Sequence, residues 1–237
     1  MSKTPTRWPN GLNNQTPESL FGNLPVPYRF DSFTEYGTDF DRYRSADWTE
    51  TITTGGSVAQ SNAANGEILL TTAAGAGDTV YIDKTGESFA ITAGDRAWFD
   101  IRFKTDDATL TNIVAGLQVT DTTPMAVSDG IYFLKAAGAA TVNLVSASGG
   151  TATVLATDLF TLTANAFYKF RFAFDGASTV KYQVQDSTGV AVAGGSATIA
   201  TLPTGTQTMS FGIDNGTTAA AKTMTVDYIF AGQDTTR

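Results

Sequence analysis

The sequence of 237 residues contains no histidine and no cysteine. Without histidine there is no Ser-His-Asp triad and no histidine-bound metal. Without cysteine there are no thiol nucleophiles, cysteine zinc sites or disulfides. No stretch approaches the roughly 18 apolar residues of a membrane-spanning helix. The first residues, MSKTPTRWPNG, have no apolar signal core, so we expect no secretory signal.

Charged residues are also scarce. They make up 16% of the chain, against roughly 25% in an average domain. The 15 basic and 23 acidic residues give a net charge of −8, whereas nucleic-acid binding needs a basic surface. We therefore expect no nucleic-acid partner. Since no apolar run is long enough to span a membrane, we also expect no membrane partner, and we expect no cofactor. The length alone allows one large β-sandwich or two small domains.

Proline is concentrated at the start of the chain, where five of the seven prolines lie in the first 27 residues. Proline has no N–H and restricts the residue before it to extended backbone, so residues 1–30 are predicted to form an extended arm. Residues 1–29 carry a net charge of +2, and the rest of the chain carries −10. One interpretation is a frayed terminus. The one we favour is an arm that becomes ordered against a partner or a neighbouring subunit.

The arm is rich in the residue types that protein interfaces favour, namely aromatic side chains and arginine. The candidate contacts with a partner or a neighbouring subunit are Arg7, Trp8, Leu20, Phe21, Tyr28, Arg29 and Phe30. The aromatic pattern continues through residues 27–44, where acidic residues offset the arginines. We interpret this segment as the first strand of the body with its entry loop, which also touches a neighbour.

From residue 31 onward, apolar and polar residues alternate with the period of two that is typical of strands. Glycine-containing turns such as Asp175-Gly176, which resembles a tight hairpin, separate the runs. No window predicts an amphipathic helix. The apolar positions of the clearest runs are Phe99, Ile101 and Phe103; Phe170, Phe172 and Phe174; Val180, Tyr182 and Val184; and Met224, Val226, Tyr228 and Phe230.

Several of these runs carry a resemblance to a known family. They are DWTETITTGG (47–56), GESFAITAGDRAWFDIRFKTDD (86–107), DGIYFLK (129–135), YKFRFAFDGASTVKYQVQ (168–185) and MSFGIDNGTTAAAKTMTVDYIFAG (209–232). Together they resemble the concanavalin A-like, laminin-G-like jelly rolls, and more narrowly those of tailed-phage virion structural proteins. The resemblance implies an all-β antiparallel two-sheet jelly-roll sandwich over residues 31–237, preceded by the arm. It also implies a structural or sugar-binding role more often than catalysis.

Neither catalysis nor metal binding is predicted. The family's β-glucanase-like members carry a Glu-x-Asp-x-x-Glu strand motif, which Glu50, Glu67 and Glu87 do not match. Some lectins and laminin-G domains of this family hold calcium with loop oxygens. Asp175, Asp186, Asp214 and Asn215 lie on turns here, but the preference of Asp and Asn for turns explains each of them. We therefore expect no catalytic and no metal-binding residue.

Trp98 is the leading candidate for an exposed aromatic, because it has the strand phase of Asp100 and Arg102. Such a ring could stack on a sugar, or pack under the arm or in a subunit interface.

These features lead to a functional hypothesis. We expect a non-enzymatic phage capsid decoration (cement) protein on the virion surface, bound to the major capsid protein partly through its arm. A homo-oligomer, either dimer or trimer, fits this role. The alternatives are a carbohydrate-binding module on a capsid or fibre, with a glycan as ligand, and a tail or baseplate component.

Overall fold

The computed structural model describes residues 33–53, 55–61, 63 and 66–234. Within these ranges the chain forms fifteen strands and two short 3-10 turns, Ser45–Asp47 and Pro124–Ala126. The strands are β1 (Phe33–Thr38), β2 (Trp48–Ile52), β3 (Ser57–Ser61), β4 (Glu67–Thr71), β5 (Thr79–Lys84), β6 (Ala97–Thr105), β7 (Asn112–Gln118), β8 (Gly130–Lys135), β9 (Thr141–Ser148), β10 (Thr151–Thr161), β11 (Tyr168–Phe174), β12 (Thr179–Gln185), β13 (Ala191–Thr198), β14 (Thr208–Asp214) and β15 (Thr223–Asp234).

The strands form two antiparallel sheets. The eight-stranded sheet has the order β13-β12-β11-β6-β15-β4-β3, with β1 also paired to β15, and the seven-stranded sheet has the order β10-β9-β8-β7-β14-β5-β2. Successive hairpins build one side of each sheet. Strands distant in sequence build the rest: β14 lies between β7 and β5, and β15 lies between β6 and β4. The predicted all-β jelly-roll sandwich is confirmed.

The core between the sheets is formed by the predicted inward positions. Phe99 of β6 stacks on Phe172 of β11 with ring centroids 5.4 Å apart, and Phe103 stacks on Phe170 at 5.2 Å. Phe133 reaches Phe170 from the seven-stranded sheet at 5.2 Å. Because burying one such side chain stabilises the fold by about 1.5–3 kcal/mol, these rings are a principal source of cohesion between the sheets.

The last strand departs from its predicted alternation. Met224 and Val226 of β15 point into the core as expected, but the next core residues are Ile229 and Ala231. The pairing of β15 with β6 shifts register between Val226 and Tyr228. A β-bulge of this kind adds one residue to a strand and so reverses its phase. The prediction that Tyr228 and Phe230 share the inward face was therefore wrong.

Strand β1 confirms that the segment 27–44 contains the first strand of the body. It pairs with β15 from Phe33 opposite Asp234 to Thr38 opposite Ile229. Since the pairing is antiparallel, the described chain begins and ends at the same end of the sandwich. The loop after β1 inserts Phe40, which is fully buried, against Trp48 of β2 with ring centroids 5.8 Å apart.

The Asp175-Gly176 pair does form a hairpin, but its loop has four residues (175–178) and not two. Asp175 Oδ1 accepts hydrogen bonds from the backbone N–H groups of Ala177, Ser178 and Thr179 at 2.8–3.0 Å, and Gly176 has a φ of 82°. The carboxylate thus satisfies three donors of the loop. Nothing helical within the described ranges is long and apolar enough to span a membrane.

Candidate functional site

The outer face of the seven-stranded sheet carries a group of buried polar side chains. In β14, Phe211 and Ile213 point into the core, so Ser210 lies on the opposite face. There it pairs with Asp83 of β5. The Ser210 hydroxyl donates a hydrogen bond to Asp83 Oδ1. Asp83 is 1% exposed, and its Oδ2 has no hydrogen-bond partner among the residues that the structure describes.

This environment makes Asp83 an unusual carboxyl group. Burial raises the pKa of Asp83 from 3.8 to about 6, because the charged form loses its hydration. The hydrogen bond from Ser210 opposes the rise, and the negative charges of Asp121 and Glu87 add to it. Asp83 is therefore a proton-binding group that titrates in mildly acidic solution.

A second buried carboxylate, Asp214, lies on the same face. It accepts hydrogen bonds from the Tyr81 hydroxyl at 2.9 Å, the Asn112 side-chain amide at 2.5 Å and the Gly216 N–H at 2.7 Å. Burial, reinforced by the charge and hydrogen bond of Asp214, raises the pKa of Tyr81. The three hydrogen bonds that the Asp214 carboxylate accepts therefore hold the end of β14 in place.

The spacing of the two carboxylates argues against a glycosidase pair. Asp83 lies opposite Ser210, four residues before Asp214 on the neighbouring strand. At a rise of about 3.3 Å per residue, the two positions are roughly 13 Å apart. Glycoside hydrolysis by two carboxylates uses separations of about 5 Å with retention and up to about 9.5 Å with inversion. Asp83 and Asp214 are too far apart for either mechanism.

The same face is filled by the chain's own side chains. Tyr132 and Val145 pack there with Val127, which comes from the loop between β7 and β8. The Gln118 amide holds this loop by donating to the Pro124 carbonyl at 2.8 Å, and Glu87 accepts from the Thr120 N–H at 2.7 Å. The loop and its apolar cluster therefore occupy the sheet surface above β7 and β8.

Two glycines allow this close packing. A Cβ at Gly116 would lie 2.4 Å from Tyr132 Cα, and one at Gly212 would lie 2.5 Å from the Tyr81 ring. Both distances are shorter than any side chain tolerates, so only glycine lets the neighbouring strands and their tyrosines approach this closely.

The turn residues considered for calcium use their side chains locally. Asp175 binds its own loop, and Asp186 Oδ1 accepts from the Thr188 N–H at 2.9 Å and the Val190 N–H at 3.1 Å. The Asn215 amide donates to the carbonyls of Ala73 and Ala220. In the described part of the chain, no group of three or more acidic side chains is arranged to hold a metal ion.

Trp98 differs from its expectation. It is only 4% exposed, and the Arg96 guanidinium lies over its ring, 5.6 Å from the centroid. Strand phase correctly identifies the outer face but does not show whether that face is covered, and Asp100 on the same face is also buried. The expectation of an exposed ring was therefore wrong, and a buried ring is not available to stack on a sugar. The alternatives for Trp98, packing under the arm or in a subunit interface, stay predictions.

The outer face of the eight-stranded sheet contains a buried ion cluster that sequence reasoning missed. Asp100 Oδ2 accepts hydrogen bonds from Arg171 Nη2 at 2.7 Å and pairs with Lys169 Nζ at 3.2 Å. Asp100 and Arg171 are 8% and 3% exposed. Burial raises the pKa of Asp100, although Arg171 and Lys169 act to lower it. The alternating pattern had assigned these charges to a solvated face.

The predicted contact residues of the arm lie outside the described residues. They are Arg7, Trp8, Leu20, Phe21, Tyr28, Arg29 and Phe30. Their role as capsid or subunit contacts stays a prediction.

Comparison with known proteins bears on the fold. No protein-family model and no curated protein sequence matches the chain. Among solved structures, it is similar to peanut lectin in complex with a nine-residue peptide (TM-score 0.61, 12% identity, covering 86% of this chain and 97% of the lectin). It is similar to an endo-1,3-beta-glucanase from Streptomyces sioyaensis, with a TM-score of 0.57 and 15% identity over 86% of this chain and 97% of the glucanase. It is also similar to the CBM2 module of the evolved Dit of Lactobacillus casei BL23 phage J-1, with a TM-score of 0.54 and 10% identity over 85% of this chain and 96% of the module.

At these identities the similarity shows the fold alone, and that fold serves both binding proteins and enzymes. The chain therefore has an all-β jelly-roll sandwich fold of the concanavalin A-like type.

Proposed function

We propose that this chain is a structural protein of a tailed-phage virion that decorates the capsid surface and cements the lattice of the major capsid protein. The sequence resemblance to virion jelly rolls supports the phage context, and so does the similarity to a module of a phage Dit protein. The wide carboxylate spacing on the seven-stranded sheet favours a non-enzymatic role.

The observation that carries the proposal is the position of β1. This strand directly follows the proline-rich arm and pairs along its whole length with β15, which lies between β6 and β4 in the eight-stranded sheet. A force on the arm is therefore transmitted to the middle of a sheet and not to a loose loop. Such a connection suits a tether between a rigid body and a capsid.

In this mechanism the arm lies along the capsid lattice, with Trp8, Phe21 and Tyr28 as anchors. Arg7 and Arg29 pair with acidic groups of the capsid protein. Ordering the arm costs roughly 1–2 kcal/mol per residue, and proline lowers this cost by restricting the free chain. Binding to the assembled lattice, and not to free subunits, stabilises the lattice by mass action.

Deleting residues 2–27 tests the proposal. We expect the truncated protein to lose most of its binding to capsids that lack the decoration protein, measured by co-sedimentation, while its melting temperature stays unchanged because β1 is intact. The double variant Trp8→Ala/Phe21→Ala should weaken binding in the same direction. Full occupancy by the truncated protein would contradict the proposal, and binding of the full chain to tails in place of capsids would favour a tail or baseplate component.

A carbohydrate-binding module is the second candidate, and a pocket of about 310 Å³ between β10 and β13 favours it. Ser146 lies in this pocket with its hydroxyl buried and without a partner among the described residues. Thr151, Thr153 and Thr198 also line it. Uncharged hydroxyls beside apolar walls suit a neutral sugar.

We expect weak, saturable binding of a methyl glycoside in saturation-transfer NMR if this second candidate holds. Thr153→Val should reduce the signal, because it removes one hydroxyl of the pocket. Thr157→Val, a change in the same strand outside the pocket, should leave the signal unchanged. No saturable signal from a panel of methyl hexosides would exclude the candidate without affecting the capsid proposal.

A further inference from the structure

Five strands in the described part of the chain form sheet edges, and four of them are protected against pairing with other molecules. Free edges of sheets invite such pairing, and proteins protect them with charges, bulges or covering loops. Strands β1 and β2 carry Glu35 and Glu50. Strand β10 is interrupted by two register shifts and by Asp158 at a φ of 48°.

The edge strand β3 is protected by a neighbouring loop. The Gln60 amide donates to the Phe40 carbonyl at 3.2 Å, and its oxygen accepts from the Tyr43 N–H at 3.3 Å. These bonds hold the charged loop of residues 39–44 beside β3.

Strand β13 has no such protection. Among the described strands it pairs only with β12, and its pairing is regular from Ala193 to Thr198. It contains no charged residue, and none occurs from Ser187 to Ile213. This is unusual in a chain with a net charge of −8. The edge is also long and free of proline, as an edge that accepts another strand must be.

Exposed apolar side chains cluster at this same flank. Of the four large hydrophobic residues that are exposed in the described ranges, Val190 directly precedes β13, Val192 lies in β13 and Val154 lies in β10. Strand β10 packs beside β13 where the two sheets meet. The flank formed by β10 and β13 is therefore apolar at these valines, and its only charged residue in the two strands is Asp158 of β10.

We propose that β13 is the interface through which two copies of this chain form a dimer, with the two β13 strands paired antiparallel about a twofold axis. A twofold interface places the same surface on both partners, so two acidic chains repel least where that surface has no charge. Pairing would join the two eight-stranded sheets into one continuous sheet and cover the valines. This inference is independent of the arm and of capsid binding.

Sedimentation velocity over a concentration series tests the proposal on the full-length protein. We expect a dimer for the unmodified chain, with higher salt strengthening it because screening reduces the repulsion between the acidic bodies. Ser196→Lys and Thr198→Lys, both at exposed positions of β13, should each raise the dimer dissociation constant at least about tenfold, since a tenfold change needs only about 1.4 kcal/mol. Ser57→Lys makes the same change on β3, at the opposite edge of the sheet, and should leave the dimer intact.

The contradicting outcomes are distinct. A monomer at about 100 µM, well above a micromolar dissociation constant, would overturn the proposal. A trimer, or an equal effect of Ser57→Lys, would also overturn it. Melting temperatures of the two β13 variants near that of the unmodified chain show that any loss of dimer is not due to unfolding. Deleting residues 2–27 should leave the dimer unchanged, which separates this result from the test of the arm.

Discussion

Replacing Asp100 with leucine is expected to lower the free energy of unfolding by about 3–5 kcal/mol, the usual cost of removing one partner of a buried ion pair. The substitution removes the carboxylate that accepts a hydrogen bond from the guanidinium of Arg171, which is 3% exposed. Lys169 loses the same partner. The free energy of unfolding, measured by urea denaturation with tryptophan fluorescence, reports the loss.

The double variant Asp100→Leu/Arg171→Met tests whether the ion pair between these residues stabilises the fold more than two apolar side chains would. Burial raises the pKa of Asp100 in spite of two neighbouring cations, which indicates that desolvation outweighs attraction here. We therefore expect the double variant to recover most of the loss. Asp234→Ala breaks the more exposed pair with Arg96, at 2.7 Å, and should cost less than about 1 kcal/mol. A double variant no more stable than Asp100→Leu would show that the pair itself stabilises the fold.

Replacing Asp83 with asparagine is expected to stabilise the protein above pH 6 by up to about 3 kcal/mol and to have little effect near pH 4. The folded chain raises the pKa of Asp83 from 3.8 to about 6, so it binds this proton more tightly than the unfolded chain does. The unmodified protein should therefore lose stability as the pH rises between these two values, and the variant should not lose this part of its stability. Asparagine retains an oxygen that can accept the hydrogen bond from Ser210.

Denaturation curves at a series of pH values between 4 and 8 measure this difference. Asp41→Asn removes an exposed carboxylate and serves as the control, for which we expect the pH dependence of the unmodified chain. Parallel curves for Asp83→Asn and the unmodified protein across this range would show that Asp83 is not the titrating group.

Alternation in the sequence was sufficient to predict the core. Phe99, Phe172 and Val180 lie inward as their period of two indicates, because a strand facing one core has no other way to bury them. The prediction failed at Tyr228, where one extra residue in β15 reversed the phase. It also could not show that β14 and β15 lie between strands distant in sequence, since these crossovers depend on tertiary packing.

The polar groups of the candidate site could not be recognised for a related reason. Asp83 ends the run TVYID and has the appearance of an ordinary outward residue. Its burial depends on what covers the outer face of the sheet, and a strand pattern contains no such information. Gly116 and Gly212, in the middle of strands, were the available signal, because glycine inside a strand often marks a close approach of backbone.

The adjacency of Phe33 and Asp234 has a practical consequence for the design of insertions. β15 has 12 residues, so its two ends are separated by roughly 40 Å. The loop at residues 136–140 is tied to Thr109, near the Asp107–Lys222 pair that flanks the other end of β15. A segment inserted between Gly138 and Ala139 would therefore lie far from the end of the sandwich at which β1 begins.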